Sequence, residues 1–125
     1  MTNKVVKVAD IGIPDKGNRI YPEEVMSAAI EKASMPIIGM LGAPDGPTVP
    51  LTKASHAVEQ LYIEDGSVFA KISTLKTPAG QIAEQLMAEN LASFKLVGSG
   101  NIAEDGTVSN FSIVTVSIVD PDTAV

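Results

Sequence analysis

The stretch Ala54-Ser55-His56-Ala57-Val58-Glu59-Gln60-Leu61-Tyr62-Ile63-Glu64-Asp65-Gly66-Ser67-Val68-Phe69-Ala70-Lys71-Ile72-Ser73-Thr74-Leu75 decides the fold. Apolar and β-branched residues fill both of its arms. Between them, Glu64-Asp65-Gly66 is a hairpin signal, because Asp-Gly accepts the positive φ angles of a tight primed turn. Strands are expected at 54–63 and 67–75. The first arm opens on Ser55-His56, and His56 is the single histidine of a chain without cysteine. Imidazole is the side chain that titrates near neutral pH. A general base working there is therefore His56 or nothing.

Upstream, 4–11 alternates and reads as a first strand, followed by turn chemistry at 12–18. Pro22-Glu23-Glu24 opens a helix, with proline suited to the first turn and carboxylates favoured by the helix dipole. Val25, Ala29 and Ala33, with Met26 and Ile30, place that helix at 22–34. Residues 36–41 form a short apolar run, read as a buried strand. Gly42-Ala43-Pro44-Asp45-Gly46-Pro47-Thr48-Val49-Pro50 is too rich in proline and glycine for a regular element and reads as a stiff surface loop.

Downstream, Thr77-Pro78 opens a second helix over 78–90, with threonine as N-cap and proline in the first helical position. Ile82, Leu86 and Leu91, with Ala83 and Met87, supply its apolar stripe. Strands follow at 94–102 and 107–119, separated by the turn Glu104-Asp105-Gly106 and ended by Asp120-Pro121-Asp122. The last strand is apolar on both faces, as in a central or barrel strand. The order β-α-β-β-β-α-β-β predicts an α+β domain over 1–125: a mostly antiparallel small β-barrel or sheet flanked by two helices.

Composition excludes several functions. The net charge is −6, no basic run follows a phosphate backbone, and aromatic residues are 4% with no tryptophan. Nucleic-acid binding is not expected. Without cysteine there are no disulfides, thiol nucleophiles or thiolate metal sites. A lone histidine makes no zinc site, so neither metal nor cofactor is expected. No apolar run reaches the roughly 18 residues that span a bilayer. The N-terminus lacks the apolar region of a secretory signal. The chain is expected in the cytosol or in a particle assembled there, with homo-oligomers left open.

Several segments together resemble the prohead (capsid-assembly) proteases of tailed bacteriophages, of the myovirus type. Asn18-Arg19-Ile20-Tyr21-Pro22 matches their N-R-x-Y-P segment. Gly39-Met40-Leu41-Gly42-Ala43-Pro44-Asp45 matches a G-x-x-G-x-P-D loop. Ser55-His56-Ala57-Val58 and Leu75-Lys76-Thr77-Pro78-Ala79-Gly80-Gln81-Ile82 match the Ser-His and L-x-T-P-x-G-x-I segments. Phe111 through Asp120-Pro121 matches the terminal strand. The resemblance implies a herpesvirus-assemblin-like fold, with the histidine as base.

The departures fall on the chemistry. The resemblance places the family's nucleophilic serine in a G-x-S-S-R-G-x-G-like segment, which here reads Ser93-Phe94-Lys95-Leu96-Val97-Gly98-Ser99-Gly100. Lys95 and Leu96 stand at the serines, Val97 at the arginine, and Ser117 at the acid of the last strand. None of these combinations lets a histidine activate a hydroxyl. The resemblance therefore implies a catalytically degenerate member: a non-catalytic decoration, cement or minor head protein on the major capsid protein lattice of a virion. The alternative is an active serine protease that cleaves scaffold and capsid precursors, using His56 with a displaced Ser99 or Ser93. The plainer readings are a hydrogen-bonded structural histidine, a bulge at Gly98-Ser99-Gly100, and a strand-start Ser93. Lys95 is a candidate for a serine–lysine dyad, and its plainer reading is a solvated surface charge.

Overall fold

The computed structural model describes residues 3–15, 17–42, 44 and 49–120. The elements are β1 (Asn3–Asp10), α1 (Glu23–Lys32), β2 (Ile37–Met40), β3 (Ala54–Glu64), β4 (Ser67–Thr74), α2 (Pro78–Ala88), β5 (Ser93–Ile102) and β6 (Val108–Val119). The α+β order expected from the sequence is the observed one. A 3-10 turn at Leu51–Lys53, just before β3, has no counterpart in the sequence reading.

The β3–β4 hairpin forms as its turn chemistry requires. Asp65 and Gly66 have φ angles of 49° and 77°, and Glu64 pairs with Ser67 across the turn. Two successive positive φ values match the right-handed strand twist, which is why Asp-Gly is favoured there. This hairpin forms the middle of a four-stranded antiparallel sheet in the order β1-β4-β3-β2, and β5 and β6 form a separate antiparallel pair.

These sheets do not close into a barrel. β2 meets β6 through one isolated parallel bridge, Leu41 to Ile118, extended by a 2.7 Å bond from the Gly42 amide to the Ile118 carbonyl. Gly42 then turns the chain at φ 77°, and the pairing stops before a ladder develops. Still, β6 is covered on both faces: Thr115, Val116, Ser117 and Ile118 are all buried. That covering is the origin of its two-sided apolar pattern.

Both helices start where the sequence says. Pro22 is the extended N-cap of α1, followed by Glu23 and Glu24 in the first turn. In α2, the Thr77 hydroxyl accepts a 2.9 Å bond from the Gly80 amide and donates a 2.6 Å bond to the Ala54 carbonyl. The cap thus ties the helix to the first residue of β3. A side chain on Gly80 would put Cβ 1.9 Å from the Leu75 carbonyl oxygen. Glycine lets α2 lie against the end of the hairpin.

One core serves both sheets. Val58, Val68, Ala70 and Ile72 of the hairpin, Met26 of α1, Ala83 of α2, and Phe94, Leu96, Val116 and Ile118 of the β5–β6 pair belong to one buried cluster. Of the loop expected at 42–50, residues 43 and 45–48 lie outside the described residues, as does the expected stop after 120.

Candidate functional site

His56 sits on an inner strand, opposite Gly39 of β2 and Thr74 of β4. Its ring is fully buried and reaches out of its own sheet to β6. Space for it comes from Gly39: a Cβ there would lie 2.1 Å from His56 Nε2 and 2.5 Å from the Val116 carbonyl oxygen. Real side chains do not approach so closely, so the first glycine of the G-x-x-G segment creates the slot that the imidazole fills.

Both ring nitrogens are occupied. Nε2 lies 2.7 Å from the Val116 carbonyl oxygen, and Nδ1 lies 2.8 Å from the Ser55 hydroxyl. A carbonyl oxygen only accepts, so Nε2 carries the proton and donates. Nδ1 then accepts from the Ser55 hydroxyl. The arrangement is a neutral imidazole with every polar atom satisfied. Burial pushes the His56 pKa below its ordinary 6.5, while the bond to the Val116 carbonyl pulls more weakly upward. The Phe94 ring stands edge-on to the imidazole at 6.3 Å, adding an apolar wall.

The structure separates the serines suggested by the sequence from this histidine. Directly across from Val116 on β5 is Leu96. Ser93 pairs with Val119 and Ser99 with Ser112. Each is three residues from Leu96, about 10 Å along the strand. Ser99 is exposed and lies between two register shifts of the β5–β6 ladder, at Val97/Gly98 and Ser99/Asn101. The hydroxyl that reaches His56 belongs to Ser55, which is itself fully buried. In the sequence Ser55 stands out only as part of the Ser55-His56 dipeptide. Its adjacency to the histidine was the available signal.

Lys95 and Ser117 are cross-strand partners. Strand alternation puts them on the face opposite Phe94 and Leu96, and so away from the imidazole. Ser117 Oγ is buried and has no hydrogen-bond partner. Both residues border a cleft of about 280 Å³ between β5, the end of β6 and the residues Asp15, Gly17, Arg19 and Tyr21. Asp15, at its edge, accepts bonds from the Gly17 and Arg19 amides at 2.8 and 2.9 Å. Tyr21 packs edge-on against Phe111 at 5.2 Å. Burial, reinforced by the nearby Asp15 charge, raises the Tyr21 pKa above 10.0, so the phenol stays neutral.

Among the described residues, no group of three or more histidine, cysteine, aspartate or glutamate side chains is placed to hold a metal ion. Among the same residues, no helix is long and apolar enough to cross a membrane.

No family model and no curated protein matches the chain. Among solved structures, it is similar to the capsid assembly protease of bacteriophage T4, gp21, with a TM-score of 0.78 and 18% sequence identity. The match covers 94% of this chain and 80% of that one. The fold is therefore that of a capsid assembly protease.

Proposed function

We propose that this chain is a non-catalytic protein of a tailed-phage head, a single domain that uses a prohead-protease-like scaffold to bind the major capsid protein lattice as a decoration, cement or minor head component. One observation carries the reading. The histidine that would serve as base is enclosed in the core, with its two nitrogens committed to Ser55 and to the Val116 carbonyl. A general base needs a ring nitrogen within hydrogen-bond reach of the hydroxyl it deprotonates, and the hydroxyl in reach, that of Ser55, is fully buried and so closed to a substrate. The β5 position paired with Val116, whose carbonyl the ring contacts, carries Leu96, which cannot act as a nucleophile.

Two further facts support the same reading. The likeness to a phage capsid assembly protease spans nearly the whole chain, which supports reading the scaffold in a capsid setting. The glycines that fit the fold together, Gly39 and Gly80, are both present, whereas the positions aligned with the family's serine pair are Lys95 and Leu96. The competing reading, an active protease using His56 with Ser99 or Ser93, requires a rearranged β5.

The test is quantitative mass spectrometry of mature heads from a phage that encodes this chain. A decoration role predicts an intact chain in numbers comparable to the capsid protein. A scarce or self-cleaved chain, with capsid precursors left uncut when the gene is deleted, would establish the protease instead.

A further inference from the structure

The cleft beside Lys95 plays no part in the account of His56, yet its composition is unusual for this molecule. The chain carries a net charge of −6. Among the described residues, those lining the cleft nevertheless include Arg19 and Lys95 and one carboxylate, Asp15. Asp15 Oδ1 already accepts from two backbone amides. Among the described residues, neither Arg19 nor Lys95 forms an ion pair; the pair that is present joins Lys7 and Asp10.

The cleft has apolar and polar walls. Val97 and Val119 line it together with Tyr21 and Ser117. Ser117 is 0% exposed and its hydroxyl has no partner. Buried polar groups are nearly always hydrogen-bonded, and an exception calls for an explanation. Arg19, which also bonds the Tyr21 hydroxyl, and Lys95 supply hydrogen-bond donors on two cations. Their complement is an anion that accepts hydrogen bonds.

We propose that this cleft binds a short-chain carboxylate, with the head group held by Lys95 and Arg19 and the apolar chain against Val97 and Val119. The size fits the assignment: about 280 Å³ lies just below the range of sites that hold drug-sized ligands. A carboxylate also suits the guanidinium fork of Arg19, which forms paired bonds with planar oxyanions. The site is independent of whether the domain binds a capsid.

The experiment is a titration of the full chain with pentanoate, followed by amide NMR, with pentanamide as the uncharged isostere. Saturable shifts at amides 95–98 and 117–119 in the millimolar range or tighter support the site, provided pentanamide is weaker by about tenfold or more. Lys95→Met must leave the rest of the spectrum unchanged and weaken pentanoate by a similar factor. Arg19→Gln provides a second, exposed position at which the same loss is expected. Absence of saturation up to about 50 mM, equal binding of pentanamide, or undiminished pentanoate binding in both variants would overturn the proposal.

Discussion

His56 Nε2 donates a 2.7 Å hydrogen bond to the Val116 carbonyl, joining residues 60 positions apart and linking the four-stranded sheet to the β5–β6 pair. Few other bonds cross this boundary: the Gly42 amide bonds the Ile118 carbonyl at 2.7 Å, and the Thr115 hydroxyl donates to the Ile38 carbonyl at 2.8 Å. The imidazole thus acts as a polar pin through the core.

His56→Ala removes that pin, opens a cavity beside Gly39 and strands both the Ser55 hydroxyl and the Val116 carbonyl. The expected loss is about 3 kcal/mol or more, read as the shift in urea unfolding midpoint. His56→Gln, which keeps a donor of similar reach, is expected to lose less. Equal stability of wild type and His56→Ala would remove the structural role.

Gly39→Ala tests the slot itself. The new Cβ would meet the imidazole and the Val116 carbonyl oxygen at impossible distances, and neither the packed ring nor the strand backbone has room to yield. Destabilisation of about 2–3 kcal/mol is expected from overpacking. In His56→Ala the ring obstacle is gone, so the two substitutions together cost less than their sum.

Stability depends on pH through the same ring. The folded state holds His56 below its ordinary 6.5, so between that value and the folded pKa the unfolded chain binds more protons. The stabilisation is complete above the unfolded pKa and is lost as pH falls from about 6.5 toward the folded value. Unfolding free energies measured between about pH 7.5 and 5.5 should decrease, and His56→Gln should flatten that slope. A wild-type slope of the opposite sign would contradict the burial argument.

The Thr77 cap is expected to contribute about 1–2 kcal/mol. Its hydroxyl serves both the Gly80 amide and the Ala54 carbonyl. Thr77→Ala should lower the unfolding midpoint accordingly, whereas Thr77→Ser should retain most of it.

Ser117→Ala predicts the opposite sign. Removing a buried hydroxyl without a partner relieves an unsatisfied group and should stabilise the unliganded chain by about 1 kcal/mol. A clear loss of stability would show that the hydroxyl has a partner in solution.

What the sequence made legible was local. Asp65-Gly66 and Thr77-Pro78 encode turn and cap geometry in adjacent residues, and both formed as read. The alternating runs gave strands to within a few residues. The open arrangement of the sheets was not legible, because it depends on where pairing between β2 and β6 stops, after the Leu41–Ile118 bridge. Nor was the isolation of Ser117 from the histidine, which follows from the face that strand register assigns it. The sequence singles out His56 as the lone histidine, but not the hydroxyl beside its ring, which is that of the neighbouring Ser55, while the β5 position paired with the ring's acceptor holds Leu96.

The central claim is that His56 is a neutral core crosslink. The most direct measurement is a long-range nitrogen–proton NMR spectrum of its ring across about pH 5.5–8, spanning the ordinary imidazole titration. The account predicts a ring that takes up its second proton at lower pH than a free imidazole, with the neutral form carrying its proton on Nε2. A ring that titrates near 6.5, or carries its proton on Nδ1, would contradict it.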